Sequence, residues 1–204
     1  MAHFEDEKIN FPVIDSDFSE LEGTCCYCSD GSAAQIRDAI ASLPLSAIHL
    51  IGTGDYHYIS LFWLERIAEP FELLLFDNHP DDQPTAFGTD ILSCGSWVAE
   101  ARSLPFCRAT RWIRSLEDLS DCNPDHPVYI SIDLDVLSTD FARTDWDQGD
   151  MTLDGLCEAL AGLSASCRII GADICGGITE AQGGRDADLE LNRNTTNRIT
   201  SYIK

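Results

Sequence analysis

Short apolar runs alternate with amphipathic segments along this chain, and that alternation constrains its fold more than any other feature. Runs of this length that are apolar or rich in β-branched residues are typical of buried strands. Four of them predict strands: AIHLIG at 47–52, FELLLFD at 71–77, VYISIDLD at 128–135 and IIGADI at 169–174.

Helical patterns lie between the predicted strands. Ser32 is a candidate cap for AAQIRDAIASL, residues 95–103 form a second pattern, and Thr152 is a candidate cap for TLDGLCEALAGL. Strands that alternate with helices imply right-handed crossovers and a parallel sheet with helices on both faces. We therefore predict an α/β fold, a mostly parallel sheet in a three-layer α/β/α arrangement. A chain of 204 residues is long enough for one full core and short for two, so we expect one domain over 1–204.

The composition excludes several classes of function. A net charge of −22 opposes nucleic-acid binding, which needs basic surface. The longest apolar runs fall far short of the roughly 20 residues that cross a bilayer, so we expect no membrane partner. Residues 1–10 lack the basic and apolar parts of a secretory signal, and we expect a cytoplasmic protein.

The nine cysteines are scattered through predicted strands and helices, and their odd count does not suit a disulfide framework. This favours a reducing compartment. Cys25, Cys26 and Cys28 form the closest group, which could bind a soft metal. No second Cys or His pair at zinc spacing accompanies it, so we expect free thiols in a turn.

Oxygen and imidazole donors follow three of the predicted strands. They are His57 after the first, Asp77, His79 and Asp81 at the end of the second, and Asp133 and Asp135 at the end of the third. Side chains alternate along a strand, so donors two residues apart can share a side, and the carboxyl ends of parallel strands meet at one edge of a sheet. Each motif alone could be a surface carboxylate pair or a set of turn caps. Converging carboxylates need a compensating cation, however, and together they predict a metal site.

Two of these motifs, DNHPD at 77–81 and SIDLDVL at 131–137, resemble the signature motifs of the arginase and agmatinase (ureohydrolase) family. GDYHY at 54–58 resembles the upstream segment that holds a metal-binding His. QGDMTLDGL at 148–156 and ADICGG at 172–177 resemble two later segments of the family. The resemblance spans roughly residues 47–177 and implies an arginase/deacetylase-like fold.

The resemblance also implies a pair of Mn²⁺ ions that activate a water molecule as the nucleophile. Asp77 and Asp133 would bridge the two ions. His57 and Asp81 would complete one site, and His79 and Asp135 the other. An oxygen-rich donor set with few imidazoles suits Mn²⁺.

The sequence departs from the family pattern at several positions. Tyr56 precedes His57 where the family has an Asp, and Cys94 stands where the family has a His that shuttles protons. Arginases place a Glu shortly after the aspartate of the last motif to hold the guanidinium, whereas Gly176 and Gly177 follow Asp173 here. Our candidate catalytic residues are Cys94 and Asp81, and the candidate substrate-binding residues are Arg143, Trp146 and Asp173.

We expect a metal-dependent hydrolase that cleaves a carbon–nitrogen bond in a small amidine, guanidine or amide other than arginine. A deacetylase-like amidohydrolase that uses Tyr56 or Tyr58, and a non-catalytic domain that retains its metals, stay open as alternatives. A phosphoesterase is disfavoured because no Arg or Lys cluster accompanies the motifs. Some relatives form trimers or hexamers, so association with further copies of the chain also stays open.

Overall fold

The computed structural model describes residues 11–84, 91–119 and 124–204; the N-terminal segment in which we expect no secretory signal lies outside these ranges. Six strands of the described residues form one sheet: β1 (Val13–Asp15), β2 (Ile48–Leu50), β3 (Phe71–Phe76), β4 (Cys107–Ile113), β5 (Val128–Asp133) and β6 (Ile169–Cys175). Their order is β1-β2-β6-β5-β3-β4, and every pair of neighbours is parallel. The predicted α/β fold is confirmed, and the four predicted strands end within two residues of their expected bounds.

The two strands that the sequence pattern missed are the edges of the sheet. The three residues of β1 are exposed or half-buried. Along β4, most side chains are also partly exposed, and two arginines interrupt the apolar pattern. An edge strand has a neighbour on one side only, so it needs no continuous apolar run.

In the described part of the chain, five α-helices surround the sheet: α1 (Asp30–Ile40), α2 (Ile59–Leu64), α3 (Trp97–Ala101), α4 (Leu153–Ser166) and α5 (Asp186–Thr200). Thr152 caps α4 as predicted, since its side chain accepts the Gly155 N–H. The prediction that Ser32 caps the first helix is wrong. Ser29 is the cap, and it accepts the Ser32 N–H at 3.2 Å; the Ser32 hydroxyl instead donates to the Glu22 carbonyl at 2.7 Å.

Two apolar cores lie on opposite faces of the sheet. Leu73 and Leu75 of β3 pack with α1, α2 and α3 on one face. Leu74 and Phe76 pack with α4 and α5 on the other. This alternation of side chains along one strand produces the predicted three layers.

The four central strands end at the same edge of the sheet. A 3₁₀ turn at Gly54–Tyr56 follows β2, and another at Leu134–Val136 follows β5. The side chains in these turns therefore meet those that follow β3 and β6. Among the described residues, no helix is both long enough and apolar enough to span a bilayer.

Candidate metal centre

The predicted donors form two groups at this edge, and the groups share Asp77. In the first group, His57 Nδ1 lies 3.1 Å from Asp77 Oδ2 and 3.1 Å from Asp81 Oδ2. In the second, His79 Nδ1 lies 2.8 Å from Asp135 Oδ2 and 3.6 Å from Asp77 Oδ1. Within each group, one ligand atom of each residue lies within 4.8 Å of the others. Asp77 thus offers one carboxylate oxygen to each group.

Asp133 lies beside the first group and is almost fully buried. Its Oδ2 is 3.6 Å from His57 Nδ1 and accepts the Cys175 thiol at 3.2 Å. Its Oδ1 accepts the backbone N–H of Asp135 at 2.8 Å. All six predicted ligands therefore lie together.

Backbone and indole N–H groups fix the orientation of the carboxylates. Asp77 Oδ1 accepts the His79 N–H at 2.6 Å, and Asp135 Oδ1 accepts the Asn78 N–H at 3.0 Å. Trp97 Nε1 donates to Asp81 Oδ2 at 2.8 Å. Such bonds hold carboxylates in place without adding a positive charge, as the outer partners of metal ligands commonly do.

A buried chain of hydrogen bonds orients His57 through its Nε2 atom, on the side of the ring away from the donor carboxylates. Ser131 Oγ donates to Asp173 Oδ1 at 2.6 Å and lies 2.9 Å from His57 Nε2. Because the Ser131 hydroxyl proton goes to Asp173, its lone pair accepts Nε2–H of His57. Although burial opposes the charge, neighbouring acidic side chains raise the pKa of His57 well above its usual range, so Nδ1 also carries a proton, which faces Asp77 and Asp81. A metal ion would take the place of that proton on Nδ1.

The donor groups carry more negative charge than their surroundings compensate. Burial, together with Asp135 and Asp77, raises the pKa of Asp133 well above its usual range. Hydrogen bonds to Asp135 and Asp77 raise the pKa of His79 to about 10. The described residues that line the adjacent cavity include no Lys or Arg. A divalent cation would relieve this crowding, so the residues fit a metal pair.

A cavity of about 70 Å³ opens beside the donors. The predicted catalytic residue Asp81, itself a donor, lines it, together with two further predicted site residues, Cys94 and Trp146. Burial raises the pKa of Cys94 to about 11, which keeps the group a neutral thiol at pH 7. A larger cavity of about 260 Å³ lies outside the donor groups. The smaller cavity is the candidate substrate site, because the donors line it.

Two predicted substrate-binding residues do not line this cavity. Asp173 is fully buried behind His57, where it accepts the Ser131 hydroxyl. Arg143 is directed toward α5, with its Nε 3.6 Å from Asp188 Oδ1. Both side chains thus contact the surrounding structure and leave Trp146 as the predicted binding residue on the cavity wall.

Comparison with known proteins identifies the fold. No protein-family model matches the chain. An uncharacterized protein of Thermotoga maritima is 33% identical over 189 residues, which cover 85% of this chain and 75% of that protein. The chain belongs to the same family as this Thermotoga protein.

Solved structures extend the comparison. The arginase from Medicago truncatula superposes with a TM-score of 0.63 at 17% identity, over 85% of this chain and 66% of that one. A hypothetical agmatinase from Burkholderia thailandensis gives a TM-score of 0.61 at 17% identity, over 87% of this chain and 66% of that one. This chain has the arginase fold. The resemblance inferred from the motifs is confirmed in the fold, although the chain spans just under two thirds of either structure.

Within this arginase fold, Gly176 has a backbone that excludes a side chain. Its φ is +99°, and a Cβ at this position would lie 2.0 Å from Asp133 Oδ1. The left-handed conformation and the close approach both require glycine. No carboxylate can therefore stand at position 176 while Asp133 keeps its place.

Three residues that contact the donors were not among the predicted site residues: Ser131, Trp97 and Cys175. A signal for Ser131 was available, because it lies two residues before Asp133 on a strand and so faces the same side. Its pairing with Asp173 across β5 and β6 depends on the strand register, which the sequence pattern does not give. Trp97 reaches Asp81 only because α3 packs beside the loop after β3.

Proposed function

We propose that this protein is a hydrolase that uses two Mn²⁺ ions to cleave a non-peptide carbon–nitrogen bond in a small amidine, guanidine or amide. The observation that carries the proposal is the pair of buried donor groups that share Asp77. Carboxylate and imidazole donors suit Mn²⁺. A carboxylate that is shared by two groups of ligands is typical of a centre with two metal ions.

His57 and Asp81 would hold one ion, His79 and Asp135 the other, and Asp77 and Asp133 would contact both. When bound, the pair supplies Lewis-acid polarisation of the substrate and a water molecule of lowered pKa. The residues of the chain orient these ligands through Ser131, Trp97 and the backbone N–H groups.

The cavity wall would position the substrate and move protons. Trp146 offers an aromatic edge, and its ring lies 6.0 Å from that of His79. We assign the Cys94 thiol, which lines the same cavity, to proton delivery toward the leaving nitrogen. The small volume of about 70 Å³ favours a small reacting group.

The geometry around Gly176 argues against arginine as the substrate. A guanidinium cation needs a bidentate carboxylate that the metals do not use. Among the described residues, the carboxylates that line the cavity are Asp77, Asp81, Asp133 and Asp135, and all four are proposed ligands. Elsewhere, Asp145, Asp147 and Glu180 are exposed and do not line it. The substrate should therefore be neutral or held in another way.

A deacetylase-like reaction that uses a tyrosine receives no support from the cavity. The Tyr58 hydroxyl donates to the Thr24 carbonyl at 2.6 Å, and the side chain is fully buried. Tyr56 is also buried and does not line the cavity.

The test is a screen of purified Mn²⁺-loaded protein for release of ammonia or urea from small amidines, guanidines and amides. We expect turnover of at least one compound by the unaltered chain and loss of that turnover in Asp133→Asn. If metal-loaded protein releases neither product from any compound, the hydrolase proposal fails and a non-catalytic metal-binding domain replaces it.

A further inference from the structure

Outside the proposed manganese centre, the fold brings a second, softer set of ligands together. Cys25 Sγ and Cys26 Sγ lie 3.9 Å apart. Asp55, from the turn that precedes His57, lies beside both: Cys26 Sγ is 3.4 Å from Oδ1 and Cys25 Sγ is 3.9 Å from Oδ2. One ligand atom of each of the three residues lies within 4.8 Å of the others.

These separations are those of neighbouring ligands around a tetrahedral zinc ion. Zinc binds thiolate at about 2.3 Å and carboxylate at about 2.0 to 2.2 Å, which separates two sulfurs by about 3.8 Å and sulfur from oxygen by about 3.6 Å. The observed distances lie close to both values, so binding would need little movement of the three side chains. Cys28 does not take part, because its thiol is buried and donates to the Ser29 carbonyl.

The Asp55 carboxylate is held by neighbours, as that of a metal ligand commonly is. Trp146 Nε1 donates to Oδ1 at 3.1 Å, and Gln182 Nε2 donates to Oδ2 at 3.3 Å. These donors leave lone pairs on both oxygens, since a carboxylate has about four acceptor positions. The carboxylate is thus oriented and still able to bind a cation.

The cluster adjoins the wall of the 70 Å³ cavity. The backbone carbonyl of Cys26 accepts the Cys94 N–H at 3.0 Å, and Cys94 lines the cavity. Trp146, which donates to Asp55, also lines this cavity. An ion here would join two segments whose ligands, Cys26 and Asp55, lie 29 positions apart in sequence.

We propose that Cys25, Cys26 and Asp55 form a separate site for a thiophilic divalent cation of the Zn²⁺ class, which ties together the rim of the cavity. Three protein ligands leave a fourth position open to solvent or to a small ligand. The site is distinct in chemistry from the carboxylate and imidazole centre, because thiolates select softer metals than Mn²⁺. Binding releases protons from the two thiols to the solvent as the sulfurs become thiolate ligands.

The experiment uses the full chain, reduced, loaded with Mn²⁺ and then titrated with Cd²⁺ as a spectroscopic substitute for Zn²⁺. Thiolate bound to Cd²⁺ absorbs in the ultraviolet by charge transfer, whereas carboxylate and imidazole ligands do not. We expect one more equivalent of thiolate-bound Cd²⁺ in the unaltered chain than in Cys25→Ser. Because Cys25 is exposed, this substitution leaves the core intact.

Cys167→Ser is the matched control, since Cys167 lies beyond the end of α4 and outside the cluster. It should bind Cd²⁺ as the unaltered chain does, and Cys26→Ser should lose the band as Cys25→Ser does. In competition with a chelator, Cys25→Ser should weaken Zn²⁺ binding more than about tenfold, because losing a ligand costs more than losing an outer partner. Equal absorption in the unaltered chain and Cys25→Ser, or an equal loss in Cys167→Ser, would overturn the proposal.

Discussion

The two ends of strand β3 carry buried carboxylates in opposite electrostatic situations. At the amino end, Glu72 is 3% exposed and receives two hydrogen bonds of 2.9 Å, from Arg111 and from the Asp125 N–H. Burial alone would raise the pKa of Glu72, but these contacts lower it. Beyond the carboxyl end of β3, the donors that follow it meet Asp133, the last residue of the neighbouring strand β5. Burial and neighbouring carboxylates raise the pKa of Asp133.

The difference separates a carboxylate that is paired within the fold from a group of carboxylates that is a candidate for metal binding. Glu72 has a cationic partner, Arg111, within the fold. It therefore stabilises the fold without a bound metal ion. The donors around Asp77 have backbone N–H groups and two imidazoles, but no Arg or Lys among the described residues that line their cavity. A buried excess of negative charge is costly unless a bound cation compensates it, which is why perturbed groups of this kind mark functional sites.

Replacing Asp133 should give the largest effect and test the functional side of the comparison. In Asp133→Asn we expect turnover of the best substrate to fall more than about 100-fold, because even an outer partner of a metal ligand is worth 10- to 100-fold. Steady-state kinetics measures this, and circular dichroism checks the fold. An unfolded Asp133→Asn protein would instead assign Asp133 a structural role like that of Glu72.

Arginine hydrolysis tests whether a carboxylate near the carboxyl end of β3 is left free by the metal ions to bind a guanidinium group. We expect urea release from L-arginine and agmatine, with Mn²⁺ at alkaline pH, to stay far below about 1 per second, the lower end of typical enzyme rates. The physical reason is that Gly176 admits no side chain next to Asp133. Turnover at ordinary enzyme rates would mean that another carboxylate, with Asp145, Asp147 or Glu180 as candidates, enters the cavity.

Metal removal should destabilise the fold, because it takes the compensating cation away from the carboxylates at the carboxyl end of β3. At a free Mn²⁺ concentration 100 times its dissociation constant, binding stabilises the fold by about 2.7 kcal/mol. For a chain of this size that corresponds to a rise in Tm of about 5 to 10 °C. Chelation should lower Tm by that amount and Mn²⁺ should restore it. A melting curve that does not respond to Mn²⁺ would mean that the donors do not form one site.

The smallest effect is expected at the amino end. Glu72→Gln removes a charge-assisted contact with a partly exposed arginine and should lower the free energy of unfolding by about 1 to 2 kcal/mol. The folded-state pKa is depressed, so this stabilisation is complete above the ordinary value of 4.5 and is lost as the pH falls below it. Urea titrations of the two proteins should therefore differ at neutral pH and converge in acid, with turnover and Mn²⁺ binding unchanged.

Much of the sheet could be predicted because its central strands are continuous apolar runs. The edge strands β1 and β4 lack such runs, and α2 (ISLFWL) is buried on all sides, so it shows no helical periodicity. Polar residues dominate α5, which buries only four of its side chains. Local patterns indicate a strand where an apolar run is continuous, and a helix only where its apolar residues recur on one face.

The residues of the candidate metal centre could be picked out from the sequence because each motif is local. Asp77, His79 and Asp81 lie within five residues, so the fold needed only to join the motifs. Strand periodicity does not group them, because β3 ends at Phe76 and the three donors lie in the bend that follows, where Asp81 has a φ of +47°. The contact between Cys26 and Asp55 spans 29 positions and depends on the packing of two loops. The Ser131–Asp173 bond depends on strand register. Neither contact can be predicted from the local sequence pattern.

The count of manganese ions per chain tests the central claim most directly. Protein purified with Mn²⁺ and freed of excess metal should contain about two ions per chain by elemental analysis, and Glu72→Gln should contain the same number. The Asp133→Asn protein should retain fewer. A chain that holds no tightly bound Mn²⁺ after such loading would contradict the account, because the buried carboxylates at the end of β3 would then persist without the cation that we infer they require.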